Sequence, residues 1–246
     1  MKIVLLRHGQ IPSNAKRKYC GSRTDEPLSE EGRSQAANCK APSANVVYAS
    51  PLIRCLQTAK IIYPELEPAL IDGFKEMDFG IFEGKSADEM EDFAPYRAWV
   101  DSWCNDPIPE GESKDEFSKR CSEAFKDVVC AYSSNQDATS NYGIESDCNT
   151  GTDCDTATDS STETYSSKNP VLNAALADNA IANAIEVTIA VVAHGGTVMS
   201  ILDAYSDDGG SYYDYHIGNC GWFECECRID EAGKPVLHIV DSFKGF

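Results

Sequence analysis

Two of the four histidines in this 246-residue chain share one arrangement: an apolar run ahead and a glycine behind. The first run, Met1-Lys2-Ile3-Val4-Leu5-Leu6, ends in Arg7-His8-Gly9, and the second, Val191-Val192-Ala193, ends in His194-Gly195-Gly196. In an open α/β sheet ligands gather at the carboxyl ends of strands, so both imidazoles fall where chemistry is expected. Arg7 supplies an anion ligand beside His8, and Gly9 lets the backbone approach closely. A helix after Gly195-Gly196 would turn free N–H groups toward the same pocket, and helix N-termini attract anions. Arg54 follows a third short apolar run, in Ser50-Pro51-Leu52-Ile53-Arg54. Its guanidinium can hold an oxyanion in a two-pronged grip that a lysine lacks. Two strand-end imidazoles and two arginines are the equipment for handling an anionic group.

The elements that must position these residues are legible as alternating patterns. Short β-branched runs at Lys2–Leu6, Asn45–Ala49, Val187–Ala193, Gly221–Arg228 and Val236–Val240 read as strands. Ser50-Pro51 reads as an N-cap with proline at the first helical position, opening a helix over Leu52–Ile62. Ser86-x-x-Glu89 and Ser113-x-x-Glu116 are capping boxes. After the second, Phe117, Cys121, Ala124, Phe125, Val128 and Tyr132 recur at helical spacing. A further helix is expected through Thr197–Tyr205. Strands alternating with helices imply a three-layer α/β/α fold with a mostly parallel central sheet, in one domain spanning 1–246. From about Ser133 to Pro170 the chain is dominated by Ser, Thr, Asn and Asp, with Lys168 its only base. Such a stretch buries too little apolar area to offset its ordering entropy, so it reads as an inserted, flexible, acidic loop. Val171–Ile185, rich in Ala and Asn, has helical potential.

Composition narrows the partners. A formal net charge of −19 argues against nucleic acid or an anionic membrane surface. The same charge repels an anionic substrate at long range, so a local cluster of cations must overcome it. The first apolar run is too short for a secretory signal, and no run approaches a membrane span. The expectation is a soluble, cytoplasmic protein acting on a small molecule, and no signal of an oligomeric state stands out. Eleven cysteines, an odd number, read as reduced and mostly buried thiols. Cys225 and Cys227 would share one face of a strand. No cysteine pair has zinc spacing, and no metal or other cofactor is expected.

Together these residues resemble the histidine phosphatase superfamily, in its phosphoglycerate mutase-like branch. Leu6-Arg7-His8-Gly9, with Asn14, Gly21 and Thr24-Asp25-Glu26-Pro27-Leu28-Ser29-Glu30-Glu31-Gly32, looks like its N-terminal signature. Ser50-Pro51-Leu52-x-Arg54-x-x-Gln57-Thr58-Ala59, Glu76-x-x-Phe79-Gly80-x-x-Glu83-Gly84 and Val192-Ala193-His194-Gly195-Gly196 resemble the motifs that follow, in order. The resemblance implies a phosphohydrolase of the histidine acid phosphatase type, needing no metal. His8 would carry the phosphoryl group, and Arg7, Arg54 and His194 would hold its oxygens. Glu76, which by itself reads as a surface acid, would act as acid and then base. Asn14 and the backbone at Gly195 would add phosphate contacts. The chain departs from the pattern between Gly21 and Leu28, one residue longer around Ser22-Arg23, and in the insert.

Within that resemblance the residues favour a phosphatase over a phosphoglycerate mutase, because Glu76 is followed by Met77-Asp78 and the stretch to Trp103 is acidic. Gly21–Gly32, Glu83-Gly84 and Pro109-Glu110-Gly111-Glu112-Ser113 look similar to α-ribazole-5′-phosphate phosphatases. A catalytically silent phosphate-ligand-binding protein is the alternative from another class, although no catalytic residue is lost. Gly80-Ile81-Phe82-Glu83-Gly84-Lys85-Ser86 fails as a nucleotide P-loop, with three residues between its glycines and a glutamate among them. Tyr212, Tyr213 and Tyr215 with His216 could line a pocket mouth but read rather as a surface loop, and His238 reads as an ordinary strand residue.

Overall fold

The computed structural model describes residues 1–140 and 187–246, and side chains within 1–133 and 187–246. Six strands form one sheet: β1 (Lys2–Arg7), β2 (Val46–Ala49), β3 (Ala69–Leu70), β4 (Thr188–Ala193), β5 (Trp222–Ile229) and β6 (Pro235–Phe243). Their order is β3-β2-β4-β1-β5-β6. The first four in that order run parallel, and β5 and β6 pair antiparallel at one side. The two-residue β3 shows no pattern that alternation could reveal. The others lie within one or two residues of expectation, except that β6 runs on to Phe243.

The helices among the described residues are α1 (Pro12–Ala15), α2 (Glu30–Asn38), α3 (Ile53–Ile62), α4 (Ala94–Asp101), α5 (Lys114–Ser140) and α6 (Gly195–Tyr205). Period-two alternation in the buried strands sends side chains to two separate cores. Ile3, Leu5, Tyr48, Ile189 and Val191 pack with Phe125, Val128, Ile201 and Leu202 of α5 and α6. Val4, Leu6, Val47, Ala190 and Val192 pack on the opposite face with Cys55, Ala59 and Tyr63 of and beside α3. A third cluster of Met77, Phe82, Met90, Trp99, Ile108 and Phe117 sits apart from both. The expected three layers are present.

Three readings are adjusted. Ser50 is not a helix cap: α3 begins at Ile53 behind Leu52, and Asp25 Oδ1 accepts from the Ile53 amide at 2.7 Å. The Ser86–Glu89 capping box forms, at 2.7 and 3.2 Å, but opens only a 3-10 turn over Asp88–Met90. The long helix after Ser113, capped reciprocally by Glu116, continues through Ser140, past the expected start of the insert at 133. The rest of that insert, with Val171–Ile185, lies outside the described residues. The described cysteines are all free thiols, and Cys225 and Cys227 are both buried on β5. Among the described residues no helix is long and apolar enough to cross a membrane.

Candidate active site

β1 and β4 are direct neighbours with Arg7 in register with Ala193, so His8 and His194 leave the sheet side by side. The His8 amide donates to the Ala193 carbonyl at 3.0 Å, and the two rings meet edge to face at 5.2 Å between centroids. His8 is buried. Its Nδ1 lies 2.7 Å from the Gly9 carbonyl, which can only accept, so Nδ1 carries the proton. Nε2 keeps its lone pair and is engaged by none of the described residues. Burial, then the charges of Arg54 and Arg7, hold the imidazole well below its ordinary pKa. The ring is therefore neutral at physiological pH, as a nitrogen nucleophile must be.

Arg54 is completely buried at the start of α3. Its guanidinium donates through Nη1 to Thr24 O at 2.6 Å, through Nη2 to Gly21 O at 3.0 Å and through Nε to His194 Nδ1 at 3.3 Å. Since Nδ1 accepts there, the proton of neutral His194 sits on Nε2, 2.8 Å from Ser50 Oγ. Burial, Arg54 and His8 hold His194 well below its ordinary pKa too. The Cys55 thiol packs 3.6 Å from the same Nε2, and burial pushes it up to about 12, so it remains an uncharged thiol.

The isolated sequence position of Glu76 points to a surface acid, yet its carboxyl is enclosed. It accepts from the Met77 amide at 3.0 Å and from the Gly196 amide, in the first turn of α6, at 3.3 Å. A Cβ at position 196 would stand 2.6 Å from Glu76 Oε1 and 3.0 Å from the Phe117 ring, so a larger residue there would push the carboxyl from its place. Burial raises the Glu76 carboxyl above its usual value against the opposing pull of those amides, Arg54 and Arg7. Arg7 donates through Nη1 to Ile217 O at 2.8 Å, while its Nε is buried without a partner among the described residues. A Cβ at Gly195 would lie 3.4 Å from that Nε, so the amide end of α6 and the orphaned donor converge.

His8, Arg7, Arg54, Glu76 and His194 thus come together, with Gly195 at their edge. Asn14 is one step removed: its Oδ1 accepts from the Ile11 amide at 3.3 Å and from Asn219 Nδ2 at 3.4 Å. Asn219 itself donates to His8 O at 3.1 Å, a support with no sequence signature. Thr58 shows in the sequence only as one letter of a motif. Its Oγ1 accepts from the Gly9 amide at 3.0 Å and donates to Arg54 O at 2.7 Å, joining both strand-end loops. The tyrosine loop is divided. Tyr215 is buried and Tyr213 is 59% exposed. Tyr212 lies close enough to Glu76 for that carboxylate to reinforce the upward shift that burial imposes on its phenol. Lys114 Nζ stands 4.5 Å from the Tyr212 ring centroid and 4.9 Å from that of Tyr213. His238 is an exposed residue of β6, 3.1 Å from Asp207.

Such an arrangement offers a neutral nitrogen nucleophile, two guanidinium groups for an oxyanion and a carboxyl able to release a proton. Relatives share both sequence and shape. A protein of Enterobacter sp. (strain 638), described as "Probable phosphoglycerate mutase GpmB", is 29% identical over 160 residues, covering 60% of this chain and 72% of that one. The crystal structure of the alpha-ribazole phosphatase from Shigella flexneri superimposes with a TM-score of 0.60 at 20% identity, over 98% of this chain and 96% of that one. That of a phosphoglycerate mutase from Thermus thermophilus gives 0.56 at 19% identity, over 99% and 98%. At those identities the structures establish the fold alone. The family model of the histidine phosphatase superfamily (branch 1) matches residues 3–138, more than half of the chain, and the chain belongs to that superfamily.

Proposed function

We propose that the protein is a metal-independent phosphomonoesterase that works through a phosphohistidine on a small phosphorylated metabolite, with α-ribazole 5′-phosphate the first candidate. The observation that carries this reading is the state of His8: Nδ1 tied to a carbonyl, Nε2 unengaged, and a buried ring that two arginines keep neutral. In the first step Nε2 attacks phosphorus, the bond from phosphorus to the ester oxygen breaks, and that oxygen takes the proton of Glu76. In the second, Glu76 as carboxylate takes a proton from water, the water oxygen attacks phosphorus, and the P–N bond breaks to release orthophosphate. Arg7 and Arg54 oppose the charge on the transferring oxygens, the main catalytic demand in phosphoryl transfer.

His194 would join them through Nδ1 by changing tautomer. The Ser50 hydroxyl can donate to Nε2 as readily as it accepts from it, and a phosphoryl oxygen would then accept from both Nδ1–H and the Arg54 Nε–H that Nδ1 no longer receives. The α-ribazole candidate is supported by the loop and Glu83-Gly84 sequences, while the fold, common to the Shigella phosphatase and the Thermus mutase, does not choose between them. Phosphoglycerate mutase activity is the second reading, favoured by the description of the Enterobacter relative. Two arginines near the site that could recognise a carboxylate are already committed, Arg23 to Asp78 at 2.8 Å and Arg120 to Glu112 at 2.8 Å, which leaves Lys114 at the rim. This weighs toward hydrolysis.

The test is turnover of p-nitrophenyl phosphate in excess EDTA at mildly acidic pH, beside His8→Ala. Activity that survives chelation and vanishes in the variant supports the reading. A panel with α-ribazole 5′-phosphate and 3-phosphoglycerate then separates the substrates. No turnover in the wild type, with binding of phosphate retained, would make a mutase or a silent binder the better account.

A further inference from the structure

Arg54 is a fully buried cation, yet among the described residues no carboxylate bonds to it. Two of its three described hydrogen bonds go to carbonyls of a single loop, at Gly21 and Thr24. Its direction is therefore set by whatever fixes that loop. Four ties hold the segment elsewhere: the Ser22 amide to Met77 O at 3.2 Å, Arg23 to Asp78 at 2.8 Å and to the Glu110 carbonyl, Asp25 to the amide at the start of α3, and Glu26 to Ser13 Oγ at 2.7 Å. The first steadies the peptide that carries the Gly21 carbonyl, and none of the four engages Gly21 and Thr24 together.

We propose that Glu83 is the positioning residue for Arg54, aligning its guanidinium for the pentacoordinate state of phosphoryl transfer; this rests on the phosphatase reading above. One carboxylate oxygen, Oε1, accepts from the Gly21 amide at 2.8 Å and from Thr24 Oγ1 at 2.7 Å, the same two residues whose carbonyls grip Arg54. The order is carboxylate, loop, guanidinium: an anion draws in the donors of Gly21 and Thr24 while the cation draws on their acceptors. The other oxygen, Oε2, is buried without a partner among the described residues. An unpaired carboxylate oxygen in the interior is costly and offsets part of what the two bonds to Oε1 contribute to stability. A Cβ at Gly21 would lie 2.8 Å from Oε2, so glycine at that position leaves the carboxylate its place against the loop.

Glu83 is itself held firmly. The Tyr19 amide donates to Lys85 O at 2.9 Å, the Gly84 amide donates to Tyr19 O at 2.8 Å, and Lys18 bridges antiparallel to Ser86. Gly84 adopts a φ of +75°, a conformation glycine enters without strain and one that turns the chain at this point. The segments 18–21 and 83–86 are thereby zipped together, and the last rung of the zip is the Glu83–Gly21 bond. The carboxylate reaches Arg54 only through the loop and does not touch the reacting atoms.

The experiment compares wild type, Glu83→Ala and Glu83→Gln for binding of orthovanadate and of orthophosphate by calorimetry, with melting temperatures recorded in parallel. Vanadate adopts the five-coordinate geometry and phosphate the ground-state one, so a misaligned Arg54 penalises vanadate more. Glu83→Ala is expected to weaken vanadate about tenfold more than it weakens phosphate, less than the roughly hundredfold or more for a deleted oxyanion donor because Arg54 is misaligned and not removed. Glu83→Gln keeps an acceptor at Oε1 and is expected to restore most of the difference. On an Arg54→Lys background, Glu83→Ala should add no further selective loss. Equal weakening of both anions with a lowered melting temperature would reduce Glu83 to a structural role, and unchanged vanadate binding would also overturn the proposal. Should the wild type bind neither anion, the phosphatase reading falls first and this one with it, whereas tight vanadate binding indifferent to Glu83 sinks this one alone.

Discussion

His8 and His194 end neighbouring parallel strands at matched positions, are followed by glycine and are both buried, but their hydrogen bonding runs in opposite senses. At the end of β1, one nitrogen is pinned to the carbonyl of the next residue and the other is left unengaged. At the end of β4, both nitrogens are occupied, by Arg54 and by Ser50. Proximity, burial and neutral charge are common to the two. What differs is which lone pair is free, and that difference separates a nucleophile from a residue that orients and donates. A histidine at a strand end is thus an opportunity whose use is settled by the partners it meets there, the next carbonyl for His8 and groups following β2 for His194.

The strongest way to break this comparison is to exchange the roles. His8→Ala removes the attacking nitrogen, and turnover of p-nitrophenyl phosphate should fall about a thousandfold or more, as it does when the member of a catalytic set that forms the covalent bond is deleted. His194→Ala leaves Nε2 of His8 in place, so single-turnover labelling with a ³²P-phosphoester should still yield an acid-labile phosphoenzyme, formed more slowly. Equal labelling in both variants, or in neither, would erase the distinction.

Glu76 comes next in size. Burial raises its carboxyl, so the protonated form able to supply the leaving oxygen persists at mildly acidic pH and is lost as pH rises through the raised value. Both imidazoles are depressed and stay neutral throughout that range. Activity toward an alkyl phosphate should accordingly decline on the alkaline side with a single ionisation. Glu76→Ala should cost about a hundredfold or more and flatten that limb. An ester with a good leaving group, such as p-nitrophenyl phosphate, should suffer less because its oxygen needs no proton. A limb that keeps its position in the variant would assign the ionisation elsewhere.

Ser50→Ala tests the β4 end alone. Without the hydroxyl, His194 loses the partner that can serve either tautomer, and kcat/KM should drop about tenfold, the worth of one buried hydrogen bond. Phosphoenzyme formation should slow while its labelling stoichiometry is unchanged.

Much of this site is legible in the sequence because its residues sit where strands end and motifs are contiguous. Arg7, His8, Arg54, His194 and the α/β alternation follow from short runs whose chemistry and period are both local. Glu76 can be assigned only by resemblance, since a lone acid carries no local sign of the burial that α6 and Phe117 impose on it. Ser50 misleads for a related reason: a Ser-Pro pair before a helix matches a cap, and the competing partner, His194, lies 144 residues away. Tyr212 opens a single 3-10 turn and Asn219 lies in the loop after it, both too short for periodicity to tell which side chains turn inward. Contacts made across the chain set the details of the pocket, and they leave no trace in any window of sequence.

The smallest expected effect lies at the rim and asks whether the contrast between the histidines is confined to the pocket floor. Lys114 is stacked on Tyr212 and Tyr213, one turn of α5 before the Phe117 ring that approaches Gly196. Its ammonium has no carboxylate partner among the described residues, in a chain whose net charge of −19 repels phosphate esters. Lys114→Met should retain the packing of the stem while removing the charge. A cation at this distance acts on the approach of the ester and not on the reacting bonds, so KM should rise about threefold with kcat little changed. The penalty should shrink as salt rises from about 0.01 M toward 0.5 M, because the Debye length contracts to a few ångströms. A fall in kcat that salt does not alter would mean that the Tyr212 side of the rim acts on Glu76, and the division between floor and rim would have to be redrawn.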